Sequence, residues 1–428
     1  VLCGSREFPV KDPFVELVKG SLNTFLNALT YPDKTVYPVA SCNDKDFQNL
    51  MHVYLDAVFY PNIYKEEKIF RQEGWHYELE DVDAPLTYNG VVFNEMKGVF
   101  SSPDELLERN IQHSLFPDTA YGVESGGDPT AIPDLSYEKY LEFHGKYYHP
   151  SNSYIYLYGD MDMEEKLNWI DEHYLSSFDG ISVDSEIALQ APFHERKEEY
   201  GFYSVTEGED VEGKAYFSYN TVCGDTMDCH LYRAFQVLSY VLVQSVGAPL
   251  KQALLDAGIG NDISCFYEES IRQPYFSIIA KNVKMEQKQK FLDIIREELS
   301  RLVRGGINKQ SLRAAINGLE FQYREADFGN YPKGLMYGLQ IFDSWLYDEK
   351  KPFIHICAND TFAYLKEQVS TDYFEKLIQV YLLDNTHASF VSVQPKIGLT
   401  GLMEEEGKNR LAEYKASLTQ EEKETLVR

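Results

Sequence analysis

The sequence predicts an α+β protein of two related α/β-roll domains, each an antiparallel-rich sheet with helices packed on one face, followed by a helical linker. Three observations support this fold class. The chain has 428 residues, too many for a single hydrophobic core. Amphipathic helical segments alternate with short apolar segments that have strand character. A helix–turn–strand pattern at 137–158 recurs at 372–393, as expected of two related domains.

The first predicted domain, residues 1–193, contains three predicted helices and one buried strand. In each helical segment the apolar residues recur every three or four positions, and Pro61 and Pro150 stand just beyond two of the ends. Asn43 or Asp44 is placed to cap the first helix. The helices are Asp46–Tyr60, Ser102–Phe116 and Tyr137–Tyr148, and the strand is Ser153–Asp160.

The second predicted domain, residues 194–400, follows a polar join near 191–199. Its strands are Lys214–Tyr219 and Tyr275–Val283. Its helices are Cys229–Gln244, Pro249–Ala257, Met285–Val303 and Lys309–Ala326, with glycines after several of the ends. The charged segment 401–428 has helical periodicity. It is predicted to be either the exposed start of a linker helix or a frayed terminal helix.

The charge balance restricts the possible partners. There are 40 basic and 68 acidic residues, a formal net charge of −28. Such a surface argues against nucleic acid and against anionic membranes, so neither is expected as a partner. The excess of acidic residues would suit a basic partner, or it would simply keep the protein in solution.

Cysteine usage and the start of the chain predict a reducing compartment. The six cysteines form no C-x-x-C pair and are spread thinly over the chain. No apolar run reaches the length of a transmembrane helix. The chain begins at Val1 without Met and enters foldable sequence at once. We therefore expect a truncated start and no signal peptide.

One carboxylate stands in an apolar run. In the stretch VVFNEMKGVF, helical spacing would place Glu95 on one face with Val91 and Val99. A buried, unpaired carboxylate there would be strongly desolvated or would become protonated. A metal cation, an Arg or Lys partner, or a side chain that extends to solvent would each resolve this, and the residues alone leave the three open.

Other catalytic motifs are missing from the sequence. There is no H-E-x-x-H or H-x-x-E-H, no G-x-x-x-x-G-K-[ST] and no G-x-S-x-G. His144 and His149 lie five positions apart at a helix end, where packing is a commoner role than metal binding. The loop 122–129, GVESGGDP, is weak support for a phosphate site.

Several stretches together resemble one family of enzymes. They are VLCGSREFPVKDPF, SLNTFLNALTYPDKTVYPVAS, KDFQNLMHVYLDAVFYP, EGWHYELE, GVVFNEMKGVFSSPDE, SGGDPTAIPDLSYEKYLEFHGKYYHPSN and YGDM. The sequence resembles the presequence protease subfamily of the pitrilysin/insulysin zinc metallopeptidases. The resemblance runs from Val1 to about the tail and is strongest as far as Asp160.

The resemblance implies a zinc site that this chain holds only in part. In that family two His of an H-x-x-E-H motif and a downstream Glu bind one Zn²⁺, and the Glu between the His is the general base. Glu95 matches the third ligand, in NEMKG. The second His would lie two positions before Val1, so no catalytic residue is expected within the chain. Three protein ligands are the usual minimum, so we expect this chain alone to be inactive and to bind zinc poorly.

The resemblance also implies where peptides bind. Relatives add the substrate as a strand to a sheet edge beside the metal, and Asn27, Ala28 and Leu29 match that edge. Leu2 and Phe14, with Val18 nearby, match the pocket for the residue before the cut. An ordinary core strand and ordinary core packing are the alternatives for these positions. Some branches carry a Glu seven residues before the metal ligand, where this chain has Tyr88.

The resemblance implies an endopeptidase that degrades unstructured peptides such as targeting presequences, with this chain as its N-terminal half. The expected partners are peptide substrates and the second half of the same polypeptide. The expected location is the cytoplasm in a bacterium, or the mitochondrial matrix or plastid in a eukaryote. The alternatives are a non-catalytic peptide-binding or scaffold subunit of the same superfamily, and an unrelated structural α+β protein in which Glu95 faces a basic side chain.

Overall fold

Helices predominate in the first 193 residues of the computed structural model, which describes residues 1–11 and 13–427. The helices of this part are α1 (Pro13–Gly20), α2 (Asp44–Phe59), α3 (Glu67–Glu73), α4 (Val91–Val99), α5 (Pro103–Leu115), α6 (Tyr137–Tyr147) and α7 (Met163–His173). Its strands are β1 (Asn23–Leu26), β2 (Leu29–Thr30), β3 (Thr35–Val36), β4 (Val39–Ser41), β5 (His76–Glu78) and β6 (Thr87–Asn89). They pair antiparallel as β1 with β4, β2 with β3 and β5 with β6.

The three helices predicted in this part are confirmed as α2, α5 and α6. The side chain of Asn43 accepts a hydrogen bond from the N–H of Asp46 at 3.0 Å and caps α2. Ser102 caps α5 in the same way, and Pro103 occupies the first turn, where its missing N–H costs nothing. Helical periodicity and nearby prolines therefore located these helices to within two residues at each end.

The prediction of a strand at Ser153–Asp160 is wrong. Residues 153–160 form neither a helix nor a strand, and none of the described strands pairs with them. The segment packs through its side chains on α12 (Lys333–Trp345) instead. A Cβ added at Gly334 would lie 2.5 Å from the Tyr158 ring, and one at Gly338 would lie 2.8 Å from the Tyr156 ring. The two glycines, one helical turn apart, give the tyrosines a flat surface.

The second part of the chain contains a five-stranded sheet. Its strands are β7 (Lys197–Val205), β8 (Ala215–Val222), β9 (Asp262–Glu268), β10 (Tyr275–Val283) and β11 (Ala388–Ile397). The order is β7-β11-β8-β10-β9, and all neighbours are antiparallel except the parallel pair β7 and β11. The two strands predicted here are confirmed as β8 and β10.

Helices cover one face of this sheet. The helices of the second part are α8 (Cys229–Ser239), α9 (Pro249–Asp256), α10 (Lys288–Gly305), α11 (Lys309–Glu325), α12, α13 (Asn359–Gln368) and α14 (Tyr373–Leu377), with π-helical extensions at Tyr240–Gln244 and Ile378–Leu383. All of them except α12 contribute residues to the core against the sheet. The four predicted helices correspond to α8 with its extension, α9, α10 and α11. The second copy of the predicted repeat, at 372–393, does form a helix followed by the strand β11. The first copy forms only its helix, α6.

The opposite face of the sheet packs against α5 from the first part of the chain. Alternate residues of a strand point to opposite faces. Phe217 and Phe276 therefore join the core with the covering helices, while Tyr275 and Val391 pack with Leu115 of α5. This contact gives the two predicted domains a common hydrophobic cluster. The boundary at residue 193 lies in a stretch, 179–193, without helix or strand, and it stays a prediction.

The tail is helical and docked. Helix α15 (Leu399–Ser417) is followed by α16 (Gln420–Val427). Tyr414 stacks on Tyr77 of β5 with ring centroids 4.7 Å apart, and Leu411 is 6 % exposed against Leu79 and Leu86. These contacts show that the tail is not a frayed terminal helix, and its role as the start of a linker stays a prediction.

All six cysteines are free thiols, as their spacing predicted. No helix among the described residues is long and apolar enough to span a membrane.

Candidate functional site

Helix α4 begins where two backbone segments cross very closely. Gly90, the residue before the helix, has a φ of +150°, and a Cβ there would lie 2.3 Å from the carbonyl oxygen of Gly74. Only glycine fits such an approach. The N–H of Phe93 donates to the same carbonyl at 3.3 Å. Together these contacts fix the direction in which α4 leaves the crossing.

The inner face of α4 is centred on Met96. Met96 is buried. A Cβ added to Gly126 would lie only 2.4 Å from the Met96 sulfur, so Gly126 packs directly against this side chain. Val92, Phe93 and Val99 are half-buried on the same side. The glycine loop 122–129 therefore packs on the underside of α4, which gives it a structural role.

Glu95 lies on the outer face of α4, and the expectation of a carboxylate on a buried apolar face is wrong. At 100° per residue, Glu95 is turned about 100° from the buried Met96, just beyond the sector that Val92, Phe93 and Val99 share with it. Glu95 is exposed, and Val91, one turn before it, is 51 % exposed. No hydrogen bond or ion pair reaches Glu95 from residues 1–11 or 13–427. It is the solvated, unpartnered carboxylate that one of the sequence-based alternatives describes.

The described residues do not form a metal site by themselves. Among residues 1–11 and 13–427, no three His, Cys, Asp or Glu side chains come close enough to hold a metal ion. A zinc site usually needs three protein ligands, and Glu95 is one candidate. Tyr88, where some relatives carry another Glu, accepts a hydrogen bond from Arg410 of α15 at 3.2 Å instead.

Asn27, Ala28 and Leu29 lie in a two-stranded ribbon, residues 23–41, formed by β1 to β4. The register pairs Leu26 with Val39 and Leu29 with Val36, so Ala28 stands opposite Tyr37. Within the part of the chain that the structure describes, these strands pair only with one another, so both edges of the ribbon are open.

Backbone hydrogen bonds show which residues face the open edge. The Asn27 N–H donates to the Pro38 carbonyl at 3.3 Å, and the Tyr31 N–H donates to the Lys34 carbonyl at 2.8 Å. In an antiparallel pair, bonded and non-bonded positions alternate, so the backbone of Ala28 points away from the partner strand. The Ala28 N–H is bonded at 2.9 Å to the side-chain oxygen of Asn27.

The residues predicted to line a substrate pocket lie near the start of the chain. Leu2 and Phe14 are half-buried, and Val18 of α1 is 53 % exposed. No hydrogen bond or ion pair in the described residues joins Glu95 to Asn27, Ala28 or Leu29. The structure therefore leaves the shared site of these residues as a prediction.

The two histidines have structural roles, as predicted. His144 is buried and bonds the Tyr64 hydroxyl through Nδ1 at 2.8 Å, and burial lowers the pKa of His144 to about 4. His149 accepts a hydrogen bond from the Ser151 N–H at 3.1 Å and caps a short 3-10 turn.

A buried charged group at the tip of the ribbon was not identified from the sequence. The side chain of Asp33 is 1 % exposed and contacts Lys34, Tyr121 and Tyr347. The turn residues YPDK gave the only available signal, and nothing in their spacing indicates partners so distant in the chain.

Comparison with known proteins gives one family and several long relatives. Residues 134–319 match the family described as Peptidase M16 inactive domain. Protein HypA of Clostridium perfringens is 51 % identical over 417 residues, which cover 97 % of this chain and 43 % of that protein. Presequence protease 1, chloroplastic/mitochondrial, of Arabidopsis thaliana is 41 % identical over 436 residues, covering 100 % and 40 %. The chain thus spans less than half the length of these relatives.

Solved structures of proteases have the same fold. A protease from Helicobacter pylori aligns with a TM-score of 0.67 at 16 % identity, covering 92 % of this chain and 87 % of that one. The first half of the periplasmic protease PqqL from Escherichia coli aligns with a TM-score of 0.61 at 14 % identity, covering 99 % and 84 %. At such identities the likeness establishes the α+β fold, which agrees with the predicted fold class.

Proposed function

Because this chain belongs to the M16 peptidases, we propose that it is the N-terminal half of a zinc-dependent endopeptidase that degrades unstructured peptides. The alignment of the whole of this chain with 40 % of a presequence protease, at 41 % identity, carries the proposal. Targeting presequences are then the substrate class to test first. The location proposed with it is the cytoplasm for a bacterial protein, and the mitochondrial matrix or plastid for a eukaryotic one.

Glu95 is the proposed metal ligand within this chain. Its exposure and its lack of any described partner leave the carboxylate free for a cation. The remaining ligands would come from sequence outside these 428 residues.

The ribbon is the proposed peptide-binding edge. An extended peptide can add to an open edge as a further strand, bonded through its backbone and largely independent of its sequence. Ala28 directs its backbone to that edge, while the side chains of Asn27 and Leu29 flank it. Leu2 and Phe14 are the proposed pocket residues. The second half of the polypeptide would close over this surface.

A non-catalytic peptide-binding subunit is the second candidate. The matched family description, an inactive domain, and the lack of a three-ligand group among the described residues favour it. The two candidates share the peptide-binding edge and differ in the metal. Zinc content of the full-length protein therefore separates them.

Replacing Glu95 tests the enzymatic proposal. In the full-length protein, Glu95→Gln removes the negative charge at nearly constant volume. Bound zinc and cleavage of an unstructured fluorogenic peptide should both fall by at least about 100-fold, because catalytic zinc sites rely on each of three ligands. Metal content and cleavage rate are measured together.

Glu142→Gln is the matched control, since Glu142 is another exposed helical glutamate, on α6. It should leave both quantities unchanged. Zinc-bound, active Glu95→Gln enzyme would disprove the assignment. Zinc-dependent cleavage by the isolated 428 residues would disprove the proposal that the other ligands lie outside them.

A further inference from the structure

The tip of the ribbon is fastened by one buried carboxylate. Asp33 Oδ2 accepts hydrogen bonds from the hydroxyls of Tyr121, at 2.7 Å, and of Tyr347. Oδ1 lies 3.3 Å from the Lys34 ammonium, and the side chains of Asp33 and Lys34 are 1 % and 7 % exposed. Tyr121 follows α5 and Tyr347 follows α12, so the carboxylate joins three distant segments of the chain.

The same group reaches the five-stranded sheet. Lys34 Nζ donates to the Ser270 carbonyl at 2.7 Å, and the Arg272 N–H donates to the Tyr121 hydroxyl at 2.9 Å. Both residues lie in the loop between β9 and β10. The ribbon tip is thus held against one end of the sheet from two sides.

The two phenols of the group keep their protons. Burial, and next the Asp33 carboxylate, raise the pKa of the Tyr121 and Tyr347 phenols, so both remain donors at physiological pH. A buried carboxylate with two phenols and an ammonium is fully bonded. Removal of one partner would leave charge or polar atoms unsatisfied, at a far greater cost than the bond itself is worth.

The middle of the ribbon is weak, which makes the tip important. Asn27 and Pro38 stand opposite each other at a bonded position, but proline has no N–H, so this position has one hydrogen bond where two are usual. Next to it, Ala28 bonds its own neighbour's side chain. A one-residue slip of a two-stranded ribbon reverses which residues face each edge. Few bonds at the centre resist such a slip.

We propose that Asp33, held by Tyr121 and Tyr347, is a positioning residue for peptide binding. It sets the register and the place of the open edge at Ala28 relative to the rest of the protein, and it does not itself touch the peptide. This inference rests on the proposed function of the ribbon as the peptide-binding edge. A role confined to fold stability is the alternative that the experiment must separate.

The test uses the full-length peptidase with Asp33→Asn and Tyr347→Phe. Both should raise KM for an unstructured fluorogenic peptide by about 10-fold while kcat stays within about 3-fold, because the edge binds the peptide and the chemistry lies elsewhere. The control is Tyr219→Phe, which also removes a phenol bond, from the Tyr219 hydroxyl to the Leu382 carbonyl at 2.9 Å. It lies away from the ribbon and should change neither constant.

Hydrogen exchange supplies a readout that does not depend on turnover. In the full-length protein, Asp33→Asn should speed amide exchange at Asn27, Leu29 and Tyr31, whose N–H groups bond across the ribbon, while exchange in β10 stays unchanged. An unfolded variant would speed exchange in β10 as well. In that case Tyr347→Phe, which removes only one hydrogen-bond donor, replaces Asp33→Asn in the kinetic and the exchange measurements.

The outcomes separate this inference from the proposed function. If the wild type cleaves peptides and both variants keep its KM, the positioning role is wrong and the proposed function stands. Equal losses in the variants and in Tyr219→Phe would also overturn the positioning role. If the wild type neither cleaves peptides nor binds zinc, the enzymatic function fails. If amide exchange in the ribbon is then also unchanged by Asp33→Asn, Asp33 does not anchor the ribbon.

Discussion

At the scale of single residues, buried polar side chains show how strongly the core sets protonation. His355 is 1 % exposed and stacks on Tyr232 with ring centroids 3.9 Å apart. Burial, and next the positive Arg233, lower the pKa of His355 from 6.5 to about 3. Asp343 is also buried, accepts a hydrogen bond from the Tyr232 hydroxyl at 3.1 Å, and has a raised pKa because of its burial. The histidine is therefore neutral in the folded protein over the whole physiological range.

His355→Phe should make stability less sensitive to acid. A lowered folded pKa contributes stability above the unfolded value of 6.5, and this contribution is lost as the pH falls toward about 3. Phenylalanine keeps the stacking on Tyr232 and cannot titrate. Between neutral pH and about pH 5, the variant should therefore gain about 2 kcal/mol of unfolding free energy relative to wild type.

Urea unfolding at several pH values measures this difference. A constant offset between the two proteins across that range would show that His355 titrates normally in the folded state. If the variant instead gained unfolding free energy relative to wild type as the pH rose, the pKa of His355 would be raised in the folded protein.

At the scale of elements, α4 shows how the residue before a helix sets the direction of that helix. The positive φ of Gly90 and its contact with the Gly74 carbonyl set where α4 starts, and Met96 then decides which face is buried. The side of the helix that carries Glu95 follows from these two constraints. Helical periodicity indicates that one face is buried, but in this helix both faces hold apolar residues, so periodicity could not select the face.

Two glycines of this region should respond oppositely to alanine. Gly90→Ala places a Cβ against backbone at 2.3 Å and should cost more than about 2 kcal/mol. Gly98→Ala lies inside α4 with no atom within 4 Å of the new Cβ, and should stabilise by about 0.5–1 kcal/mol. Denaturant unfolding of the two variants measures both signs. If the two variants changed the free energy of unfolding equally, the close approach of Gly90 to the Gly74 carbonyl would not be what requires glycine at position 90.

At the scale of the whole molecule, two contacts unite the predicted domains and the tail. Helix α5 lies on the sheet of the second part, where the Ser114 hydroxyl bonds the Ser389 hydroxyl at 2.8 Å inside the interface. Helix α15 lies on β5 and β6, and the Lys97 ammonium of α4 pairs with Glu404 of α15 at 3.2 Å. That exposed pair is weak, so the apolar contacts hold α15 in place.

Leu411→Ala tests how α15 is held. Truncating this buried leucine should cost about 2–3 kcal/mol, and hydrogen exchange should become faster in α15 and in β5 and β6. Leu402→Ala, on the same helix but 54 % exposed, should change stability by less than about 0.5 kcal/mol. If exchange is alike in the two variants, Leu411 does not anchor the helix.

The sequence by itself determined the elements that depend on neighbours in the chain. The cap at Asn43, the apolar spacing of α2 and α5 and the run of β10 are local signals, and the structure matches each of them. The family resemblance likewise singled out Glu95 and the stretch Asn27–Leu29, whose roles remain proposals.

Tertiary structure decided what depends on contacts between distant residues. Only the fold shows that Glu95 faces solvent and that the segment at Tyr154–Tyr158 meets a helix where a strand was expected. Asp33 meets Tyr121 and Tyr347 across 88 and 314 positions. Spacing along a chain constrains a single helix or strand, whereas the choice of packing partner depends on which surfaces the complete fold brings together.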